Sequence, residues 1–466
     1  MNRTYASPMP VPAEALFAWH ERPGAFVRLA PPWAAVELAS FEGIQDGQRA
    51  EIRLGPRPVQ LRWIAEHEGY IAGRQFRDIQ RSGPFRRWAH THRMEPVDGA
   101  TSRLVDALSY TLPLGRLGDL VGGRLIRRQL DSQFAYRHIT TRTDLEVHRR
   151  INPAGRALRI AVTGASGVLG RLLCAFLTTG GHTVLRLVRR AAAAPDAVYW
   201  NPDAGEIESD KLEGLDAVVH LAGESIMALR WTSAKRDRIE QSRIRGTRLI
   251  AETLARLTRP PATLLSASGI AIYGDRGDEA IDERAGTTTD TFLSRVCAAW
   301  EAATLPAEAA GIRTAQLRIG VVLTPRGGAL AQLVRPFTFG VGVQAGRTGD
   351  YLSWIAADDI VYAIGHLLMN SALAGPVNLV GPRPVTQEAM TRTLGRVLRR
   401  PVAGQVPPAL IRAALGEMAD ETLFQSLNLG PARLLGDGFV FQYPELEATL
   451  RHQLGRFAPD QIPLMA

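Results

Sequence analysis

The sequence predicts two architectures in series. A mixed α+β domain comes first, then an α/β domain on a doubly wound parallel sheet that ends in a small helical segment. Three observations carry this. Residues 1 to about 150 alternate polar and apolar at period two and close on a stretch with helical spacing. Beyond a charged Pro-Gly linker, "HRRINPAGRAL" (148–158), short apolar runs alternate with helical ones, as in a parallel sheet with crossover helices. Immediately after that linker, "RIAVTGASGVLGRLL" sets a glycine-rich turn between an apolar strand and an apolar helix.

In the first part, "PAEALFAWHE" (12–21) reads as a helix. "QLRWIAEHEG" (60–69) and "RRWAHTHRMEPV" (86–97) read as strands. "GRLGDLVGGRLIRRQLDSQFAYRHITTRTDL" (115–145) has helical spacing through its second half, so a terminal helix lying across a curved sheet is expected. His90 and His92 flank Thr91 and share a strand face with Trp88. A His-x-His pair can bind metal, but no other ligand cluster accompanies it. No metal site is expected, and the pair reads as a cavity wall or a polar outer face.

In the second part the expected strands are "RIAVTG" (159–164), "HTVLRLVR" (182–189), "LDAVVHLAG" (215–223), "ATLLSASG" (262–269) and "RTAQLRIGVVL" (313–323). From about residue 400, short helices are closed by Gly and Pro. The glycine turn carries the clearest chemistry. Thr163 ends the strand, Gly164 permits the tight turn, Gly167 lets the backbone approach a pyrophosphate, and Gly170 lets helix and strand pack closely. Ser166, Val168 and Leu169 complete the loop and the first helical turn, whose N-terminus favours an anion. The next strand ends in Arg189 and Arg190 with no acid, and arginine suits a 2′-phosphate. NADP (NADPH) is therefore favoured over NAD, with a solvated arginine pair as the alternative.

Composition bounds the rest. Hydrophobic residues make up 45% and charged ones 22%, as in globular proteins. The net charge is +9, but lysine occurs only at Lys211 and Lys235 and the arginines are scattered, so a nucleic-acid patch is not expected. Cys174 and Cys297 make neither a disulfide framework nor a zinc spacing, and Cys174 reads as core. No apolar run has the length of a membrane span and the start lacks a signal-peptide pattern, so a cytoplasmic protein is expected.

With Gly-x-x-Gly-x-x-Gly, "HLAG" (220–223), "SASGIAIYGD" (266–275), "LRIGVVL" (317–323) and "SWIAADDI" (353–360) in order, the chain resembles the extended short-chain dehydrogenase/reductases. It is most similar to their atypical branch, the epimerase family proteins. "GEMA" (416–419) and "PARLLGDGFVFQYPEL" (431–446) resemble the small domain of unknown function, DUF1731, that ends this branch. "VPAEALFAWHERPGAFVRLAPPW" (11–33) and "GPFRRWAHTHRM" (83–94) resemble the SRPBCC, START-like helix-grip domain. The resemblance implies a helix-grip domain at 1–150, a Rossmann-type NAD(P)-binding domain at 157–395 and a DUF1731-like domain at 400–456.

Residue by residue, the resemblance implies that Leu221, Ala222 and Gly223 line the adenine ribose. The usual Asn on the following helix is Arg243, in "SRIRGT". The serine that polarises a substrate oxygen in active relatives matches Ser268, with Ser266 as the alternative register. Counting back from Glu301, the catalytic Tyr falls at Leu293 and its Lys at Cys297, so the standard proton relay is absent. Cys297 is either a thiolate assisted by Arg243 or a buried thiol packed on the nicotinamide. Tyr273 is either a substitute acid or structural. Arg318 either reaches cofactor or substrate, or serves as a cap or a solvated group. Ala356 stands where relatives carry His, and Asp358 and Asp359 are expected to cap the next helix. The expected function is an NADP-binding oxidoreductase or nucleotide-sugar-epimerase-like enzyme acting on an unidentified small molecule. The alternative is a non-catalytic NADP(H) sensor or carrier. The helix-grip resemblance implies a tunnel for an apolar small molecule, with Trp19, Phe26, Trp33 and Trp88 as lining or core.

Overall fold

The computed structural model describes residues 1–56, 58–190, 194–227 and 230–465. The chain divides into two compact units: Met1–Gly155 with Ala175–Gly181 and Arg451–Ala466, and Arg156–Cys174 with His182–Leu450.

The first unit is built on a seven-stranded antiparallel sheet. Its strands are β1 (Asn2–Met9), β2 (Val36–Phe41), β3 (Arg49–Leu54), β4 (Leu61–Ile71), β5 (Gln75–Ser82), β6 (Arg87–Pro96) and β7 (Ser102–Thr111), in the order β1-β7-β6-β5-β4-β3-β2. The period-two pattern sets the buried face: Trp88, His90, His92 and Met94 all point inward from β6, so the histidine pair lies on the inner face. Helices α1 (Ala13–Glu21) and α2 (Ala25–Leu29) are followed, after the sheet, by α3 (Arg116–Ile151). The last runs continuously from Arg116 and does not begin midway. Its first half escapes sequence reading because Leu117, Leu120, Val121 and Leu125 are exposed there, leaving no buried stripe. Arg28 on α2 and Asp144 on α3 form a fully buried two-point ion pair, Nη2–Oδ1 2.7 Å and Nε–Oδ2 2.8 Å. The C-terminal residues return to this unit. The Ala6 amide donates to Pro463 O (2.7 Å) and the Met465 amide to Thr4 O (2.8 Å), so the tail lies along the outer edge of β1.

The second unit holds an eight-stranded sheet. Its strands are β8 (Arg159–Thr163), β9 (Thr183–Val188), β10 (Ala197–Asn201), β11 (Glu206–Ile207), β12 (Ala217–His220), β13 (Thr263–Gly269), β14 (Arg313–Ile319) and β15 (Gly375–Leu379). They lie in the order β11-β10-β9-β8-β12-β13-β14-β15, every pair parallel except β10–β11. Buried on both faces, the central strands β8 and β12 read as near-continuous apolar runs. The order reverses between β8 and β12, and in such sheets ligands bind at the carboxyl ends of the strands at that reversal. The main crossover helices are α4 (Val168–Thr179), α5 (Ser233–Arg256) and α6 (Phe292–Ala302).

Two local expectations are corrected. "RTAQLRIGVVL" is not one strand: β14 stops at Ile319, and Val321–Leu323 pairs instead with Trp354–Ala356. Gly320 makes the turn-off, since a Cβ there would stand 2.7 Å from Ser353 O. Asp358 and Asp359 do not cap their helix, Ala357–Met369, where Ala356 holds the cap position. Asp359 instead accepts the amides of Gln442 (2.8 Å) and Tyr443 (3.0 Å), fastening the C-terminal segment. Glu421 acts likewise, its carboxylate accepting the Phe292 and Leu293 amides (2.9 Å each) at the start of α6. Among the described residues no helix is long and apolar enough to cross a membrane.

Candidate functional site

The loop from β8 to α4 is shaped by its glycines. Gly164 has φ +67°, and a Cβ on it would meet the Leu221 and Ala222 backbone at 2.9–3.0 Å. Gly170 is tighter, its added Cβ lying 2.1 Å from Gly164 O. Gly167 differs. The nearest neighbour of an added Cβ would be Gly164 O at 3.2 Å, and both Ser166 and Gly167 are exposed. Packing therefore accounts for Gly164 and Gly170, while Gly167 keeps open a path to a group outside the chain. Such a cradle fits a dinucleotide pyrophosphate.

The Thr163 hydroxyl fixes the neighbouring strand end. It accepts the Leu221 (3.0 Å) and Ala222 (3.1 Å) amides and so donates to His220 Nδ1 (2.8 Å). Burial pushes the His220 imidazole down to about 4, so the ring is neutral. Ser266, paired in register with His220, is fully buried and its hydroxyl has no hydrogen-bond partner. Arg189 and Arg190 follow β9 and are exposed. Arg189 also helps hold the Glu224 carboxyl below its usual range, after the larger effect of Lys235, whose Nζ is 2.6 Å away. Arg243 reaches back from α5 to Glu224 O (2.9 Å) and packs over the Trp300 ring of α6 at 4.9 Å.

The face of α6 that carries Leu293 and Cys297 continues one turn on to Glu301. Sequence reasoning used Glu301 only as a counting point, although the i, i+4, i+8 spacing already placed it on that face. Its carboxylate is the centre of a partly buried network. Ser268 Oγ donates to Oε1 (2.7 Å), and Arg318 forks onto both oxygens, Nε–Oε1 2.8 Å and Nη2–Oε2 2.9 Å. Arg318 Nη1 also donates to the Tyr273 hydroxyl (2.8 Å), which donates to Asn378 Oδ1 (2.9 Å). Arg318 is thus neither a helix cap nor solvated. Burial would lower its guanidinium, but Glu301 and Tyr273 outweigh that and raise it. Burial raises the Tyr273 phenol against the opposing effect of Arg318.

Cys297 is 5% exposed, and burial pushes its thiol up to about 12 even though Arg243 pulls the other way. The two groups do influence each other electrostatically, as the thiolate reading required. Desolvation wins, and the thiol is protonated at neutral pH. Cys174 is only partly buried, and burial likewise raises its thiol to about 12.

In the first unit His90 and His92 belong to a polar belt. It separates one apolar cluster holding Phe76, Met94 and Leu104 from another holding Trp88, Leu108 and Phe134. Asp78 and Asp106 join the pair within the belt, a cluster invisible in the linear sequence. The signal was parity: Asp106 falls on the inward series Leu104, Asp106, Leu108, where an acid is out of place. Trp19 and Trp88 are buried in the two apolar clusters, while Phe26 and Trp33 are partly exposed.

Comparison with known proteins adds three family matches. The NAD dependent epimerase/dehydratase family matches residues 160–379, the domain of unknown function DUF1731 residues 406–453, and the polyketide cyclase / dehydrase and lipid transport family residues 9–134. An epimerase family protein of Mycobacterium bovis is 38% identical over 297 residues, which is 64% of this chain and 98% of that protein. One from Bacillus subtilis is 34% identical over 297 residues, 63% of this chain and 97% of its own. Among solved structures, a nucleoside-diphosphate sugar epimerase from Corynebacterium glutamicum matches with a TM-score of 0.80 and 33% identity. That match covers 97% of this chain and 90% of the other. The human epimerase family protein crystallised with NADPH matches with a TM-score of 0.58 and 28% identity, covering 64% of this chain and 99% of its own.

Proposed function

Since this chain belongs to the epimerase family of proteins, we propose that it binds NADP(H) at the β8–β12 reversal and serves as an oxidoreductase or nucleotide-sugar-epimerase-like enzyme. The observation that carries the reading is the glycine loop, with Gly167 left open while Gly164 and Gly170 are required by packing. Thr163, Ser166, Val168 and Leu169 would complete the pyrophosphate cradle, and Leu221, Ala222, Gly223 and Arg243 would flank the adenosine and nicotinamide halves. Arg189 and Arg190, exposed and without an acid in the ribose position, favour the 2′-phosphate of NADP over NAD. The human relative crystallised with NADPH supports the same choice. When bound, the nicotinamide supplies the hydride acceptor or donor.

The chain's own part is proton handling without Tyr-x-x-x-Lys. A substrate hydroxyl would donate to Ser268 Oγ, whose proton passes along the 2.7 Å bond to Glu301 Oε1. Arg318 holds that carboxylate in place. Tyr273 has both hydrogen-bonding roles taken, so it positions Arg318. We further propose functional divisions at 1–150, 157–395 and 400–456, the first receiving a small apolar molecule between its clusters.

Native mass spectrometry of freshly purified protein tests the cofactor reading, and retention of NAD in place of NADP would refute the arginine argument. A carbonyl or alcohol panel read by NADPH absorbance tests turnover. Ser268→Ala should lower any rate found at least tenfold with cofactor affinity unchanged. The second reading, a non-catalytic NADP(H) sensor or carrier, is favoured by Leu293 and the protonated Cys297. It expects tight NADPH binding with no consumption across the panel.

A further inference from the structure

The belt inside the first unit has spacings that hydrogen bonding alone does not explain. His67, Asp78, His90, His92 and Asp106 sit on β4 to β7, with Asp78 opposite His67 and His90, and His92 opposite Asp106. His90 is 2% exposed, His92 4% and Asp106 2%. Asp78 Oδ2 stands 3.5 Å from His90 Nδ1 and 3.4 Å from His92 Nε2. Those separations are long for good N–H···O bonds, which fall at about 2.7–3.2 Å. These two match edges of a tetrahedron around a metal with ligand bonds of about 2.0–2.2 Å, which are roughly 3.3–3.6 Å. One ligand atom from each of the three residues falls within 4.8 Å of the other two.

The outer contacts follow the pattern of a metal site. The far nitrogen of each imidazole faces one oxygen, Asp106 Oδ1: His90 Nε2 at 2.9 Å and His92 Nδ1 at 2.8 Å. The second contact is not aligned as a hydrogen bond, and His92 Nδ1 is left without one. Asp106 Oδ2 is held by His138 Nε2 (2.9 Å), whose Nδ1 meets Ser7 Oγ (2.9 Å). The other oxygen of Asp78 meets His67 Nε2 at 3.1 Å. A carboxylate behind each ligating imidazole orients the ring and raises its basicity. Asp106, buried, and Asp78, partly exposed, also carry two negative charges, which one divalent cation balances with every imidazole neutral.

We propose that Asp78, His90 and His92 bind a divalent first-row transition metal, zinc above all, with Asp106 as the carboxylate that positions both imidazoles. Two imidazoles and a carboxylate select zinc-class ions over magnesium or calcium. Three protein ligands leave one position for water or for an oxygen of a small molecule between the apolar clusters.

The test uses full-length, tag-free protein stripped with chelator. Zn²⁺ is titrated against a chromophoric competitor, and Co²⁺ is followed by its visible absorption. One equivalent is expected, with the intense bands of a four-coordinate cobalt site. Asp78→Asn and His92→Gln should weaken binding more than 100-fold, and Asp106→Asn by about 10–100-fold. The folding control is the far-UV circular dichroism and the proteolytic resistance of the first unit, which should not change in the metal-free variants. Should the variants fail to fold, X-ray absorption of the zinc-loaded wild type still decides, with two imidazoles and no sulfur expected. No stoichiometric binding, equal affinity in a folded Asp78→Asn, or sulfur in the coordination shell would each overturn the proposal in favour of a plain buried ion-pair network.

Discussion

At Gly170 a single added methyl group would collide with the Gly164 carbonyl, whereas at Gly167 it would meet far less. The two positions therefore separate fold from ligand. Gly170→Ala is expected to cost about 1–3 kcal/mol, as overpacking does, and to lower the melting temperature. Gly167→Ala should stay within about 0.5 kcal/mol of wild type yet lose NADPH affinity at least tenfold by fluorescence titration. Cys297 gives a pH prediction. Its folded value of about 12 lies above the ordinary thiol value, so the unfolded chain ionises first as pH rises. The stability it contributes is complete below about pH 8.5 and is lost toward 12. Cys297→Ala should flatten denaturant midpoints measured across that window, and an unchanged slope would show that the thiol is not the titrating group. The turn at Gly164 and the close packing at Gly170 were legible because they follow from backbone sterics. The thiol's protonation was not, because it depends on how completely neighbouring elements exclude water.

Helix α6 shows what a motif comparison sees and what it misses. Leu293 and Cys297 were legible as replacements, yet the group that organises the face is Glu301, whose importance depends on Ser268 and Arg318 arriving from β13 and β14. Glu301→Gln leaves the buried Arg318 without its counter-charge, and breaking such a pair costs about 3–5 kcal/mol, less here because the Glu301 side chain is 16% exposed. Urea denaturation is expected to show at least a 2 kcal/mol loss. The start of α6 depends on a residue more than a hundred positions later. Glu421→Ala removes the acceptor for two amides and should cost about 1 kcal/mol by thermal melting. No local pattern announces such a cap, since Thr291 already supplies a capping box within the helix. The split at Gly320 escaped for a similar reason: apolar residues flank it on both sides in "RTAQLRIGVVL", and the distant Ser353 and Val380 show where the chain must turn.

Over the whole molecule, the fold class was legible because period-two alternation and buried parallel strands leave different imprints on sequence. The return of the last residues to the first unit was not, because edge pairing uses backbone groups and any side chains will serve. Deleting residues 457–465 is therefore expected to destabilise the first unit, read as faster proteolysis near β1, with NADPH affinity unchanged within twofold. Saturating NADPH should raise the melting of the second unit, by about 2.7 kcal/mol at one hundred times its dissociation constant.

The pairing of Thr4 and Ala6 with residues 463–465 also sets a clock. β1 is made early, and the segment that covers its outer edge follows more than 450 residues later. At about 5–20 residues per second, roughly half a minute to a minute and a half separates them. Throughout that interval the nascent chain carries an open sheet edge, the feature by which strands recruit wrong partners. A prematurely terminated product would keep that edge for good. Residues 463–465 thus close an edge that a chain broken anywhere upstream of them leaves exposed.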